Sequence, residues 1–321
     1  MKTRYILHSI IAAIAIVCLP TKLLAAEIPC STAKLIVPWK AGGGTDIIFR
    51  VVADAVNKSG IKPQLQVLNI SGQGGNKGAK EARGSKPDGC TLFAMHQSAI
   101  TSYLSGRVDF TWDAFEPVTM LTNTPSIIGA TKTVPYDDVT GLIAAAKAKP
   151  GEILAGGTLG STSQFIFLLL EEAAGIQFKH ISYDGTRERM TALLASNIQL
   201  GEINVTAAQK YIKTNELKAL GIATPERDPR VPDVKTLKEQ GVNLVFGLDR
   251  GVMAPKGTSP DIIKHYETAF LNAMNAPEVK NQLESKGSIV RALGSNDYRA
   301  HLQNTLDTLK ATAIKVGIYK P

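Results

Sequence analysis

The chain has few of the residues that most chemical functions need. Only three cysteines and five histidines occur among 321 residues. His96, His180, His265 and His301 stand far apart, and no Cys or His cluster has metal-ligand spacing. A metal centre is therefore not expected, and each histidine reads as structural or exposed. Past residue 24 no long apolar run follows, so no membrane-spanning helix is expected in the body of the chain. Basic residues are scattered among acids with no aromatic-interleaved stripe, which argues against a nucleic-acid partner. Three motifs are also missing. No Gly-Lys-Ser/Thr closes a P-loop, and Ile47 sits where a dinucleotide fingerprint would need its third glycine. No G-x-S-x-G nucleophile elbow is present, nor any His or acid placed by motif to serve one. No catalytic residue and no cofactor are expected.

What is present begins with a leader. Lys2 and Arg4 precede an apolar run over residues 10–19, and Leu23, Leu24, Ala25 and Ala26 offer small residues for cleavage. This is the pattern of a secretory signal peptide over residues 1–26, cut near Ala25 or Ala26. The run is short for a membrane span, and Ala15-Ile16-Val17 is a poor lipid-attachment context for Cys18. The expected product is exported. Removing Lys2, Arg4 and Lys22 from the formal charge of +8 leaves +5, a mild positive surface that serves solubility. Cys30 and Cys90 remain, and an even pair in an exported chain points to a disulfide. Cys30 precedes the first strand and Cys90 the third. A sheet of order 2-1-3 makes those strands parallel neighbours and brings the two sulfurs within range.

The organising stretch is KLIVPWKAGGGTDIIFRVV, residues 34–52. Leu35, Ile36 and Val37 read as a buried strand stopped by Pro38. Gly42, Gly43 and Gly44 allow a tight turn, Thr45 or Asp46 can cap a helix, and Ile47, Ile48, Val51 and Val52 supply its apolar stripe. A strand, a glycine turn and a helix start offer free N–H groups and a favourable dipole to an anion. A plain structural turn is the alternative. The pattern recurs: residues 153–155 read as a strand, 156–163 as a glycine and hydroxyl loop, and 164–174 as a helix closed by Gly175.

Further strands are expected at residues 64–70, 91–95, 115–121, 126–130, 180–183, 198–205, 218–223, 242–246 and 251–254. Helices are expected near 77–83, 139–148, 186–195, 208–214, 235–240 and 260–275, with another opening at Pro277 and a long last one over 295–316. The glycine-rich loop over residues 71–84 reads as lying beside the site. The alternation argues an α/β fold with mainly parallel sheets. Ligands of open α/β sheets sit at the carboxyl ends of strands, so residues 39–46 and His96, Gln97 and Ser98 belong on one rim.

At this point the blocks VPWKAGGGTDIIFR, KPDGCTL, FEPVTML, AAAKAKPGEI, GGTLGSTS, SYDGTRERMTALLASNIQLG, VPDVKTLKEQG and RGVMAPKGTSP resemble, in order, those of the Bug family. These are the periplasmic substrate-binding proteins of tripartite tricarboxylate transporters. The resemblance covers the mature chain nearly end to end. It implies a two-domain periplasmic-binding-protein fold of the Venus-flytrap type, without catalysis, that holds a small carboxylate between its domains for the membrane components of the transporter. It implies ligand contacts from Trp39, Ala41, Gly42, Gly43, Thr45 and Asp46 on one side and Thr158, Ser161, Thr162 and Ser163 on the other. Tyr183, Asn204, Gln97 and Ser98 complete the cleft. Arg250 is the rival to a clamp made mainly of backbone N–H groups and hydroxyls.

The expected domains are 27–124 plus 247–321, and 125–246, in a monomer. Departures from the family pattern are Arg187, Glu188 and Arg189 after the tyrosine turn, the missing proline around Asn204, and Leu248-Asp249 before Arg250. Asp184 and Asp249 disfavour a multiply charged anion, which argues against citrate and leaves a mono- or dicarboxylate or an aromatic acid. A sensor subunit for a signalling receptor would share the fold, and an exported α/β hydrolase is the enzymatic alternative.

Overall fold

The computed structural model describes residues 28–319 except 184, so the signal peptide lies outside the described residues. The chain opens with β1 (Thr32–Val37), whose inner residues Ala33, Leu35, Ile36 and Val37 are buried. Helix α1 (Gly44–Lys58) follows and lays Ile48, Phe49, Val52, Ala53 and Val56 on the sheet. Then come β2 (Gln64–Asn69), α2 (Asn76–Arg83), β3 (Thr91–His96), α3 (Ser98–Leu104) and β4 (Phe115–Pro125). The middle of the chain holds β5 (Ile127–Thr131), α4 (Val139–Ala148), β6 (Leu154–Gly157), α5 (Thr162–Ala174), β7 (Lys179–Ser182), α6 (Thr186–Leu194), β8 (Leu200–Ile203), α7 (Val205–Lys213) and β9 (Leu217–Ile222). The last quarter adds β10 (Gly247–Pro255), α8 (Pro260–Asn275), α9 (Pro277–Ser285), β11 (Ile289–Leu293) and α10 (Ser295–Lys315).

These strands make two sheets, one of order β11-β4-β10-β3-β1-β2 and one of order β7-β6-β8-β5-β9. Four of the six strands in the first sheet run the same way, as do four of the five in the second. Two of the three exceptions, β5 and β10, have a topological cause. The chain leaves the first sheet through β4, and one residue, Ser126, separates it from β5. It returns through Phe246 into β10. Each returning strand, β5 or β10, runs antiparallel to both neighbours. The two crossings are tied together, with Gly247 opposite Pro125 and the Ser126 N–H donating to the Phe246 carbonyl at 3.3 Å.

The core is continuous across the two sheets on one side. Helix α5 presents six consecutive buried residues, Phe165 to Leu170, because β6 and β8 cover one flank and α3 and α10 the other. Full burial of such a side chain contributes about 1.5–3 kcal/mol. Gly175 ends the helix at φ 62°, where a side chain would be strained. The order β2-β1-β3 places Cys30 beside Cys90, and the two form a disulfide with Cα atoms 5.9 Å apart.

Several sequence expectations shift. Residues 235–240 form only a short 3₁₀ turn at Lys238–Gln240, and residues 242–246 join no sheet. Strand β4 runs unbroken to Pro125 because β10 pairs along its whole length. Helix α3 and strand β11 were not expected.

Candidate functional site

The first loop leaves β1 at Pro38 and turns at Gly42, whose φ of 76° favours glycine. It ends at Gly43, the N-cap of α1. Asp46, one turn into the helix, faces back into this loop. Its carboxylate accepts the Gly42 N–H at 2.8 Å, the Arg50 Nε at 2.9 Å and the Asn69 Nδ2 at 2.8 Å. Burial opposes its ionisation, but the bonds from Arg50, the Gly42 N–H and Asn69 outweigh burial and hold the carboxyl below its ordinary value. Asp46 therefore braces the loop, and its oxygens are already engaged. Asn69 also donates to the Trp39 carbonyl at 2.9 Å.

Trp39 leans on His96 with ring centroids 4.8 Å apart, and its buried Nε1 has no hydrogen-bond partner. His96 accepts the Ser98 N–H at Nδ1, 3.1 Å away. That bond assigns the proton of the neutral ring to Nε2. Burial first, and the charge of Arg250 second, push His96 well below the usual histidine range, so it stays neutral. Gln97 is committed to β10. Its N–H donates to the Asp249 carbonyl, and its Oε1 accepts the Asp249 N–H, both at 3.1 Å. Ser98 is the first residue of α3 and is buried.

Arg250 stands opposite His96 in the β3–β10 pairing. It is 5% exposed, and its guanidinium bonds two hydroxyls, Thr45 Oγ1 at 3.0 Å and Thr124 Oγ1 at 2.6 Å. Among the described residues no carboxylate lies within 4.0 Å of it. Burial lowers its pKa to about 10, while attraction to Glu202 and Asp249 opposes the shift; it remains a cation at neutral pH.

The second loop is held by its own hydroxyls. The Thr158 N–H donates to Ser163 Oγ at 2.9 Å, Ser161 Oγ donates to the Thr158 carbonyl at 2.8 Å, and Thr158 Oγ1 donates to the Tyr183 carbonyl at 2.7 Å. Thr162 and Ser163 are the first residues of α5, and all four loop residues are buried. Tyr183 is half-buried, with its ring beside Gly156, where a Cβ would come within 3.3 Å. Asn204 lies at the junction of β8 and α7.

The loops meet through Gly74 and Gly75, in the loop that the sequence places beside the site, and through Thr101, which sequence reasoning passed over. Gly74 approaches Thr158, and Gly75 packs on Trp39. Thr101 Oγ1 donates to the Gly160 carbonyl at 2.9 Å. The loop at residues 71–84 thus touches both sides. Of the unusual trio after Tyr183, Glu188 reaches Lys40 at 3.4 Å, and Arg189 is buried with its guanidinium on Glu202 at 2.6 Å. Arg187 is exposed. Asp184 lies outside the described residues. Asp249 is held by Asn123 at 2.6 Å and His301 at 2.7 Å. Among the described residues no group of three potential ligands could hold a metal, and no helix is long and apolar enough to cross a membrane.

Two α/β lobes with loops facing across a cleft define the architecture of the periplasmic binding proteins. The structure of BugD, titled a periplasmic binding protein, matches with a TM-score of 0.80 at 24% identity over 90% of this chain and 99% of its own. MatC from Rhodopseudomonas palustris with bound malate matches at TM-score 0.80 and 25% identity, covering 88% of this chain and 98% of its own. The R. palustris protein Rpa4515 with adipate gives 0.83 at 24% identity over 91% and 99%.

Within that class the chain belongs to the TctC family, the tripartite tricarboxylate transporter family receptors, whose model matches residues 48–318. It is 31% identical over 318 residues to the UPF0065 protein in the gbd 5' region of Cupriavidus necator, covering 96% of this chain and 94% of that one. It is 30% identical over 266 residues to BugT of Bordetella pertussis, covering 81% of each. The chain is a TctC-family periplasmic solute-binding protein, and its family and fold are those of binding proteins rather than of enzymes.

Proposed function

We propose that this protein captures a small carboxylate between its two lobes and delivers it to the membrane components of a tripartite tricarboxylate transporter. The observation that carries this reading is Arg250: a buried guanidinium at the rim, bonded only to hydroxyls. Glu202 and Asp249 attract it only from beyond contact distance, and a ligand carboxylate supplies a direct ionic partner. The ligand's anionic end sits against Arg250, Thr45 and the start of α1, beside Trp39, Ala41, Gly42 and Gly43. Its far end meets Thr158, Ser161, Thr162 and Ser163, with Tyr183 and Asn204 at the flank and Gln97 and Ser98 below. Asp46 supports the loop from behind. The lobes are residues 27–124 plus 247–321 and residues 125–246. The exported protein acts as a monomer, without catalysis, after the leader is removed near Ala25 or Ala26. The malate of MatC and the adipate of Rpa4515 support a carboxylate ligand.

Calorimetry tests this with the acid that native mass spectrometry finds on the purified protein. Gly43 has an ordinary φ of −77°, so Gly43→Asp retains the fold, and thermal unfolding checks Ser161→Asp, which gives up the bond from Ser161 Oγ to the Thr158 carbonyl. Arg250→Ala abolishes binding, Gly43→Asp weakens it strongly by repelling the anionic end, and Ser161→Asp weakens it by disturbing the loop that meets the far end. If Arg250→Ala alone matters, the loops do not clamp the ligand. If all three variants bind normally, the site lies elsewhere.

A further inference from the structure

The charges around the cleft balance in number but not in placement. Three carboxylates lie close to the rim, and each is already engaged. Asp46 is held by Arg50, Asn69 and the Gly42 N–H. Glu202 is held by Arg189. Asp249 is held by Asn123 and His301. Lys40 and Glu188 face each other at the mouth, both exposed. Among the described residues Arg250 is the cation buried in this wall with no carboxylate in direct contact, Glu202 and Asp249 attracting it only from farther away, and two neutral donors share the wall: the unpartnered Trp39 Nε1–H and the His96 ring whose Nε2 holds its proton.

Among the described residues the opposite wall shows no buried counterpart. Thr158, Ser161 and Ser163 spend their hydroxyls on the loop itself. Arg189 is spent on Glu202, while Arg187 and Arg107 are exposed. A second carboxylate there would give up its hydration and meet helix N–H groups and neutral side chains, with no buried unpaired cation among the described residues and only solvent-exposed Arg107 beside Gly160.

We infer that the cleft selects ligands carrying one carboxylate and a neutral far end over dicarboxylates of the same length. This rests on the carboxylate reading above and narrows it, setting the chain apart from its malate- and adipate-bound neighbours.

The test is calorimetry on the mature protein with matched acids, at a pH where every carboxyl is ionised. The pairs are butyrate and succinate, hexanoate and adipate, benzoate and terephthalate. In the pair that binds, the monoacid is held about tenfold or more tighter than its diacid. Arg250→Gln loses about tenfold or more for that monoacid, and Arg250→Lys keeps part of the affinity. Thermal unfolding confirms that both variants fold. A diacid that binds as well as its monoacid, or better, overturns the single-charge inference and leaves the carboxylate reading standing. So does a monoacid that binds Arg250→Gln as well as the unchanged protein. If none of the six acids binds, the carboxylate reading falls, and the inference falls with it.

Discussion

The two loops that face each other share an outline of strand, glycine turn and helix start, yet different chemistry holds them. The first is built around an ion. Asp46 gathers a backbone N–H, an arginine and an asparagine. The second is built from neutral hydroxyls that bond to its own backbone and to one another, with Ser161 Oγ and Ser163 Oγ 3.0 Å apart. Charge-assisted bonds are roughly twice as strong as neutral ones but depend on pH and leave a charged partner behind when broken. Neutral bonds do neither.

The largest effect expected is at the charged loop. Asp46→Ala removes three bonds to a buried carboxylate and costs about 3 kcal/mol; half-exposed Arg50 limits the loss. Chemical denaturation measures it, and a loss below about 1 kcal/mol would mean that the ion does not hold the loop.

Acid separates the loops next. The Asp46 pKa is lower folded than its ordinary value of 3.8, so its stabilisation is full above that value. It fades as pH falls through the lower folded value. The second loop holds no titratable side chain, so its amide protection should be flat over the same range. Hydrogen exchange that shows both loops loosening together on acidification would erase the distinction.

Ser163→Ala removes two neutral bonds, to the Thr158 N–H and to Ser161 Oγ, and should cost about 1–2 kcal/mol, with no pH dependence in the acid range. Lys40→Ala breaks the exposed pair with Glu188 across the mouth and should change stability by less than about 0.5 kcal/mol. A larger shift in its melting temperature would make that pair a true latch.

Much of this arrangement was legible in the sequence because it is local. The LIV run, the three glycines and the apolar stripe of α1 fix the first unit. The GGTLGSTS loop before a run of large apolar residues fixes the second. The two cysteines flanking strands 1 and 3 announced their bridge. The i, i+4 spacing of Asp46 and Arg50 also carried a signal that Asp46 serves its own helix turn.

What was not legible depends on distant partners. Residues 98–104, SAITSYL, hold too many hydroxyls to read as a helix, and α3 forms where α5 and α10 bury it. Residues 242–246 alternate like a strand but meet no free edge. Nothing near Arg250 in sequence reveals that Thr45 and Thr124, 205 and 126 residues away, are its hydrogen-bond partners.

The position of β10 has a consequence for how the molecule is made. It fills the space between β3 and β4, strands that end at residue 96 and begin at residue 115, but it starts only at residue 247. Until it arrives, the first sheet has a gap one strand wide with two unpaired edges, and every residue of the second sheet has already been placed in the chain. Pairing over such separations is slow. Pulse-labelled exchange during refolding should show β3 and β4 amides protected late, and early protection would contradict this. The first lobe holds the first strand, but only the nine residues of β10 join β3 to β4 and close the gap in its sheet.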